Sequence, residues 1–203
     1  MNKRIAFISA FLIMLFGINT LLSLPENIDS AFIRHQLVML SGFLTFGYMS
    51  IAMILSIKSA WLKKKLNGFG KMYRLHKDCG IAATVTLIAH WALASDRTVN
   101  SGLFDHSFQR IGSNIGEIIL FLFLPFVVIS MTSIIKRDWS KLIHKLGGLI
   151  FVASALHSIL LLDNGMSQLV LNLCVAIMTV VGTYSAWLSL TDRISPSRKT
   201  KIA

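Results

Sequence analysis

Six long apolar runs constrain this chain more than any other feature. A stretch of about 18 or more apolar residues with few charges is long enough to cross a bilayer as a helix. Such stretches are read at residues 5–24, 36–57, 74–94, 114–134, 143–162 and 167–190. The apolar residues form unbroken runs, with neither the helical nor the strand period of a half-buried element. Only 14% of the residues are charged, against about 25% in an ordinary soluble domain. The expected fold is therefore an all-α integral membrane protein, a six-helix bundle in lipid. The first run follows Met1-Asn2-Lys3-Arg4 and imitates a signal peptide. It is longer than a signal core, and Leu22-Ser23-Leu24-Pro25-Glu26 offers no small-x-small cleavage site, so a retained helix is expected.

Net charge is +11, which would suit a nucleic-acid partner if the basic residues lined one face. They do not. Lys3, Arg4, Lys58, Lys63, Lys64, Lys65, Lys71, Arg74, Lys77, Lys136, Arg137, Lys141, Lys145, Arg193, Arg198, Lys199 and Lys201 fall at one side of the runs, and Arg34, Arg97 and Arg110 at the other. Such a division is the signature of membrane topology, with the basic side cytoplasmic. Both termini are then cytoplasmic, nucleic acid is excluded as a partner, and a bacterial inner membrane is the expected location. The membrane domain is expected to span 1–194, followed by a short basic tail at 195–203. The outer segment 95–113 is long enough to fold back over the bundle's mouth. Cys79 and Cys174 form no CxxC motif and fall in opposite leaflets, so no disulfide joins them.

Four histidines occupy the spans: His76 and His90 in the third, His144 and His157 in the fifth. A metal-ligating or ionisable residue inside the membrane marks function by default. Both spans run outward from the cytoplasm, so His76 and His144 share an inner level, and His90 and His157 an outer one. Spacings of 14 and 13 residues separate the levels by about 20 Å at ~1.5 Å per residue. Zinc or copper sites gather three or four ligands around one ion. Two ligands at each of two distant levels instead suit the axial positions of two b-type haems, paired His76–His144 and His90–His157. The 14-residue interval returns to within roughly 40° of one helix face, whereas 13 residues miss by about 140°. A bend at Gly147-Gly148 is expected to close that gap. Arg74, Lys77 and Lys145 at the inner level and Arg34 at the outer are candidate partners for haem propionates, and Phe151 is a candidate to pack between the haem edges.

Tyr73-Arg74-Leu75-His76-Lys77 with His90, and His144-Lys145-Leu146-Gly147 with His157, resemble the transmembrane domain of ferric reductases and NADPH oxidases. The resemblance runs helix by helix over nearly the whole chain. It implies electron flow from a cytoplasmic flavin-bearing donor, through two haems, to an outer acceptor such as ferric iron or dioxygen. Larger family members continue into FAD and NAD(P)H domains, whereas this sequence stops at Ala203 and holds no Gly-rich dinucleotide fingerprint. FAD or FMN is accordingly expected on a separate cytoplasmic reductase, or on a dehydrogenase domain beyond this sequence. Oxidases tend to carry a polar residue where Ala94 stands, which argues against a tuned oxygen-reducing centre. Short bacterial relatives that serve as haem subunits of periplasmic methionine sulfoxide reductase are similar in length, but commonly lack the inner histidine that His76 supplies here. They motivate a second reading, a quinol-linked subunit delivering electrons to a periplasmic reductase. A third, from another class, is a haem-free transporter or assembly factor whose histidines relay protons.

Overall fold

The computed structural model describes residues 3–94, 106–132, 137–162 and 168–191, excluding the side chains of 106–109, 131 and 137–144. The described residues form seven helices and no strand: α1 (Lys3–Leu22), α2 (Ser30–Ser56), α3 (Ala60–Lys65), α4 (Phe69–Ala94), α5 (His106–Met131), α6 (Arg137–Leu160) and α7 (Leu169–Leu190). The six apolar runs fall on the six long helices, with ends shifted by up to eight residues. The largest shift is at α5, whose helix begins at His106, so the outer connection shortens to 95–105, outside the described residues. The tail from Ser195 also lies outside them.

Among the described residues, four helices are long and apolar enough to cross a membrane: α1, α2, the Arg110–Ser130 part of α5, and α7. The histidines lie on the other two long helices, α4 and α6. In α4, Lys71, Arg74, Lys77 and Asp78 occupy the first half, and the part of α6 whose side chains are described, Lys145–Leu160, is apolar. The outer faces of the bundle are nevertheless strongly apolar. Phe7 is 73% exposed and Phe121 72%, in the company of Leu21, Val85, Leu122, Val180 and Trp187. So much exposed apolar surface has its place in hydrocarbon rather than in water.

Helix α2 is the hub, packing on α4, α7 and α1, while α5 pairs with α6 and α6 with α7. From Phe43 through Ser50 all but Leu44 are buried in α2. Polar contacts join helices where the lipid offers no partner. Thr45 donates to Thr86 at 2.9 Å, Ser9 and Tyr48 share a hydrogen bond of 2.6 Å, and Ser50 donates to the Met178 carbonyl at 3.2 Å. Asn19 of α1, only 1% exposed, donates to Gln168 at 2.6 Å and accepts from the Leu171 N–H at 3.1 Å, so α1 satisfies an otherwise orphaned N–H in the first turn of α7.

The connection between α2 and α4 holds a short helix that the pattern of apolar runs does not mark. Ser59 caps α3 by accepting the Leu62 N–H at 3.2 Å. Gly68 N–H then donates to Lys63 O and Asn67 N–H to Lys64 O, the paired bonds of a Schellman turn. Asn67 takes the left-handed backbone conformation (φ 60°) that this ending requires.

At the centre, Phe151 of α6 is wholly buried and stacks on Phe46 of α2, with centroids 5.2 Å apart and planes 10° from parallel. Its ring fills the notch left by Gly182 of α7, where any Cβ would collide with it. Phe151→Ala is expected to destabilise the bundle by about 3–5 kcal/mol, the range for an unfilled aromatic site. Thermal unfolding of the detergent-solubilised protein measures this; a loss below about 1 kcal/mol would show that the site collapses around the smaller side chain.

Candidate functional site

The histidines of α4 are held by the backbone of α2. His90 Nδ1 donates to the Val38 carbonyl at 3.0 Å, and His76 Nδ1 to the Ala52 carbonyl at 3.0 Å. A carbonyl can only accept, so in each neutral ring the proton sits on Nδ1 and Nε2 keeps its lone pair. The acceptors Val38 and Ala52 are as far apart along α2 as His76 and His90 are along α4, so a single antiparallel register anchors both rings. The same device recurs on the other side. His157 Nδ1 of α6 donates to the Gly112 carbonyl of α5 at 2.7 Å. A histidine fixed this way through one nitrogen has its tautomer and orientation set for ligation through the other.

Glycine lets these rings lie against the helices that hold them. A Cβ on Gly116 would stand 2.6 Å from His157 Cε1 and 2.9 Å from Nδ1, and one on Gly42 would stand 3.0 Å and 3.1 Å from the same atoms of His90. Each glycine lies one helical turn after the carbonyl that anchors its histidine (Val38 before Gly42, Gly112 before Gly116), so the two halves of the outer site are built alike. Ser41 adds a further contact, its Oγ 3.3 Å from His90 Nδ1.

The rings of His90 and His157 face one another with centroids 6.3 Å apart and planes at 82°. Two imidazoles ligating one metal from opposite sides, with bonds of about 2 Å and about 1.1 Å from nitrogen to ring centre, would place their centroids about 6.2 Å apart. Helix α4 packs principally on α2, and α6 on α5 and α7, with no comparable packing of α4 on α6 among the described residues. The pair thus bridges a gap between two helical layers. Among the described residues, no cluster of three or more His, Cys, Asp or Glu stands ready to enclose an ion. The arrangement brings two imidazole rings, one from α4 and one from α6, to the same level.

The inner level is described on one side. Phe46 lies between Val38 and Ala52 along α2, and its stack on Phe151, taken with the contact of His157 and His90 at the level of Val38, shows that α6 runs antiparallel to α2 and parallel to α4. The first turns of α6 therefore reach the level of His76. The side chain of His144 lies outside the described residues. Gly147 and Gly148 lie within the one helix α6. They admit close neighbours: Phe126 presses on Gly147, while Ala186 and Leu190 lie over Gly148.

Of the other sequence candidates, Arg34 reaches the outer level, its Nη2 donating to the Leu93 carbonyl at 3.2 Å, one turn beyond His90. Arg74 does not share the His76 side of α4. Two residues turn the helix by roughly 200°, and Arg74 lines a cavity against α1 instead. Phe151 sits between the two levels, in contact with α2 and α7. Lys77 is exposed and Lys145 half-buried. Both cysteines are free thiols. The sequence reading missed Gly42, Gly112 and Gly116, for which the Gly-x-x-x-Gly spacing in α5 was the available signal.

Comparison with curated proteins finds no significant match. The model of a family described as "Ferric reductase like transmembrane component" matches residues 41–155. The matched stretch covers more than half of the chain and includes Gly42, His76, His90, Gly112, Gly116 and His144, ending two residues before His157. The chain belongs to the ferric reductase-like transmembrane component family.

Proposed function

We propose that this protein conducts electrons across the membrane through two b-type haems, each held by one histidine of α4 and one of α6. The observation that carries the reading is the facing pair His90–His157 at 6.3 Å, each ring anchored through Nδ1 to a backbone carbonyl. Held there by His90 and His157, haem would supply a one-electron iron couple suited to passing electrons. The chain's own residues fix the imidazole orientations, keep Nε2 unprotonated, and set two levels apart along α4 and α2. At the outer level Arg34 is the cation for a propionate. At the inner level Lys77 and Lys145 take that role beside His76 and His144, and Phe151 occupies the span between. Membership of the family supports transmembrane electron transfer as the activity. Six spans with cytoplasmic termini follow from the distribution of Lys and Arg. The donor is a cytoplasmic flavin-bearing reductase, separate or covalently continuous with this chain, and the basic stretch Lys63–Lys77 is the face presented to it. The acceptor lies outside, with ferric iron favoured over dioxygen.

Oxidised and dithionite-reduced spectra of the protein purified with haem supply, together with a pyridine haemochrome count, test this reading. Two b-type haems per chain are expected. A colourless, folded protein would refute it and bring forward the proton-relay reading.

A further inference from the structure

We propose that the cleft between the start of α1 and the first half of α4 binds the phosphate of an anionic phospholipid headgroup. The cavity has a volume of about 740 Å³ and is lined by Arg4 and Ile5 of α1 and by Lys71, Arg74, Asp78, Ile81 and Ala82 of α4. The lining is graded along the helix axis. The cations Arg4, Lys71 and Arg74 occupy the end nearer the α1 N-terminus, and Ile81 and Ala82 the deeper end, about 15 Å along α4 from Lys71. Three cations and one carboxylate leave a net charge of +2 on the lining. The ligand is therefore an amphiphile, with an anionic head at the mouth and an apolar body against Ile81 and Ala82. A phospholipid of the cytoplasmic leaflet has that shape, and basic pockets between membrane helices on that side are suited to such headgroups. Arginine adds planar, paired donors for phosphate oxygens.

The placement also accounts for Arg74. Its side of α4 is turned away from His76, so its charge serves the α1–α4 cleft rather than the histidine level. A lipid seated there would tie α1 to α4, two helices that otherwise meet mainly through α2. The inference shares with the proposed function only its membrane orientation and does not require haem.

Native mass spectrometry of the detergent-purified full chain, titrated with phosphatidylglycerol or phosphatidylethanolamine, tests the site, with the haem count read on the same samples. One phosphatidylglycerol is expected to bind about 10- to 30-fold more tightly than phosphatidylethanolamine. The double substitution Lys71→Gln, Arg74→Gln is expected to remove that preference and leave the haem count unchanged. Equal binding of both lipids, or a preference that survives the double substitution, would overturn the proposal. Displacement of the lipid by millimolar inorganic phosphate would overturn it in favour of a soluble-anion site. Loss of haem in the double variant would return Arg74 to the histidine level. A haem-free chain that still selects phosphatidylglycerol would leave this site standing and count against the conduit alone.

Discussion

His157→Ala is expected to bring the haem content from two per chain to about one and to cut reduction of an outer acceptor by at least about 100-fold. Under the proposed function, His157 and His90 together would hold the outer haem, and His90 alone would not keep its iron in the same low-spin state. Losing a residue that merely orients a ligand costs about 10- to 100-fold in metal affinity or activity, so losing the ligand itself exceeds that range. Because the two levels lie about 20 Å apart, the inner pair retains its own haem. His90→Ala is expected to give the same spectrum as His157→Ala, since their rings form one pair at 6.3 Å. His76→Ala, by contrast, removes the other haem. Pyridine haemochrome counts and reduced-minus-oxidised spectra of the three variants distinguish these outcomes. Two full haems remaining in His157→Ala would break the assignment of the outer pair.

The elements of this fold stand out in the sequence because lipid imposes length: each long helix coincides with an apolar run, its ends shifted by up to eight residues, about two turns. The histidine pattern was legible for a related reason. An interval of 14 residues keeps His76 and His90 on one face of an ideal helix, and the structure matches it with Val38 and Ala52 at the same interval on α2. What remained hidden depends on which helix faces which. Val38 acts through its backbone carbonyl, which no side-chain pattern marks. Glycine is common in membrane helices, so Gly42 and Gly116 acquire meaning only when a ring from another helix is seen against them. The side taken by Arg74 was open to sequence reasoning, because a residue two positions from a histidine lies nearly opposite on a helix; proximity in sequence obscured it. Helix α3 was hidden among lysines in a stretch too short for periodicity, where only Ser59 and Asn67 at its ends announced it.

Gly116→Ala is expected to weaken haem binding at the outer level by about 10- to 100-fold, the range for residues that orient a ligand, and Gly42→Ala by less. A Cβ at Gly116 would meet His157 at 2.6 Å, far inside contact distance, whereas one at Gly42 would meet His90 at 3.0 Å, an overlap that a shift of a few tenths of an ångström relieves. His157 has little room to retreat, because moving off α5 also breaks its 2.7 Å bond to the Gly112 carbonyl. Helix propensity acts in the opposite direction, favouring alanine over glycine by about 1 kcal/mol, so simple destabilisation of α5 is not the expected cause of any loss. The distinguishing readout is the ferric low-spin resonance. Imidazole planes at 82° produce a strongly anisotropic signal, and nearly parallel planes a less anisotropic one. A positioning role requires Gly116→Ala to alter or erase that signal while helix content stays constant or rises and the inner haem remains. If the substitution leaves both the outer haem affinity and its resonance unchanged, α5 yields to the added methyl, and the orientation of His157 is set by its bond to Gly112 alone.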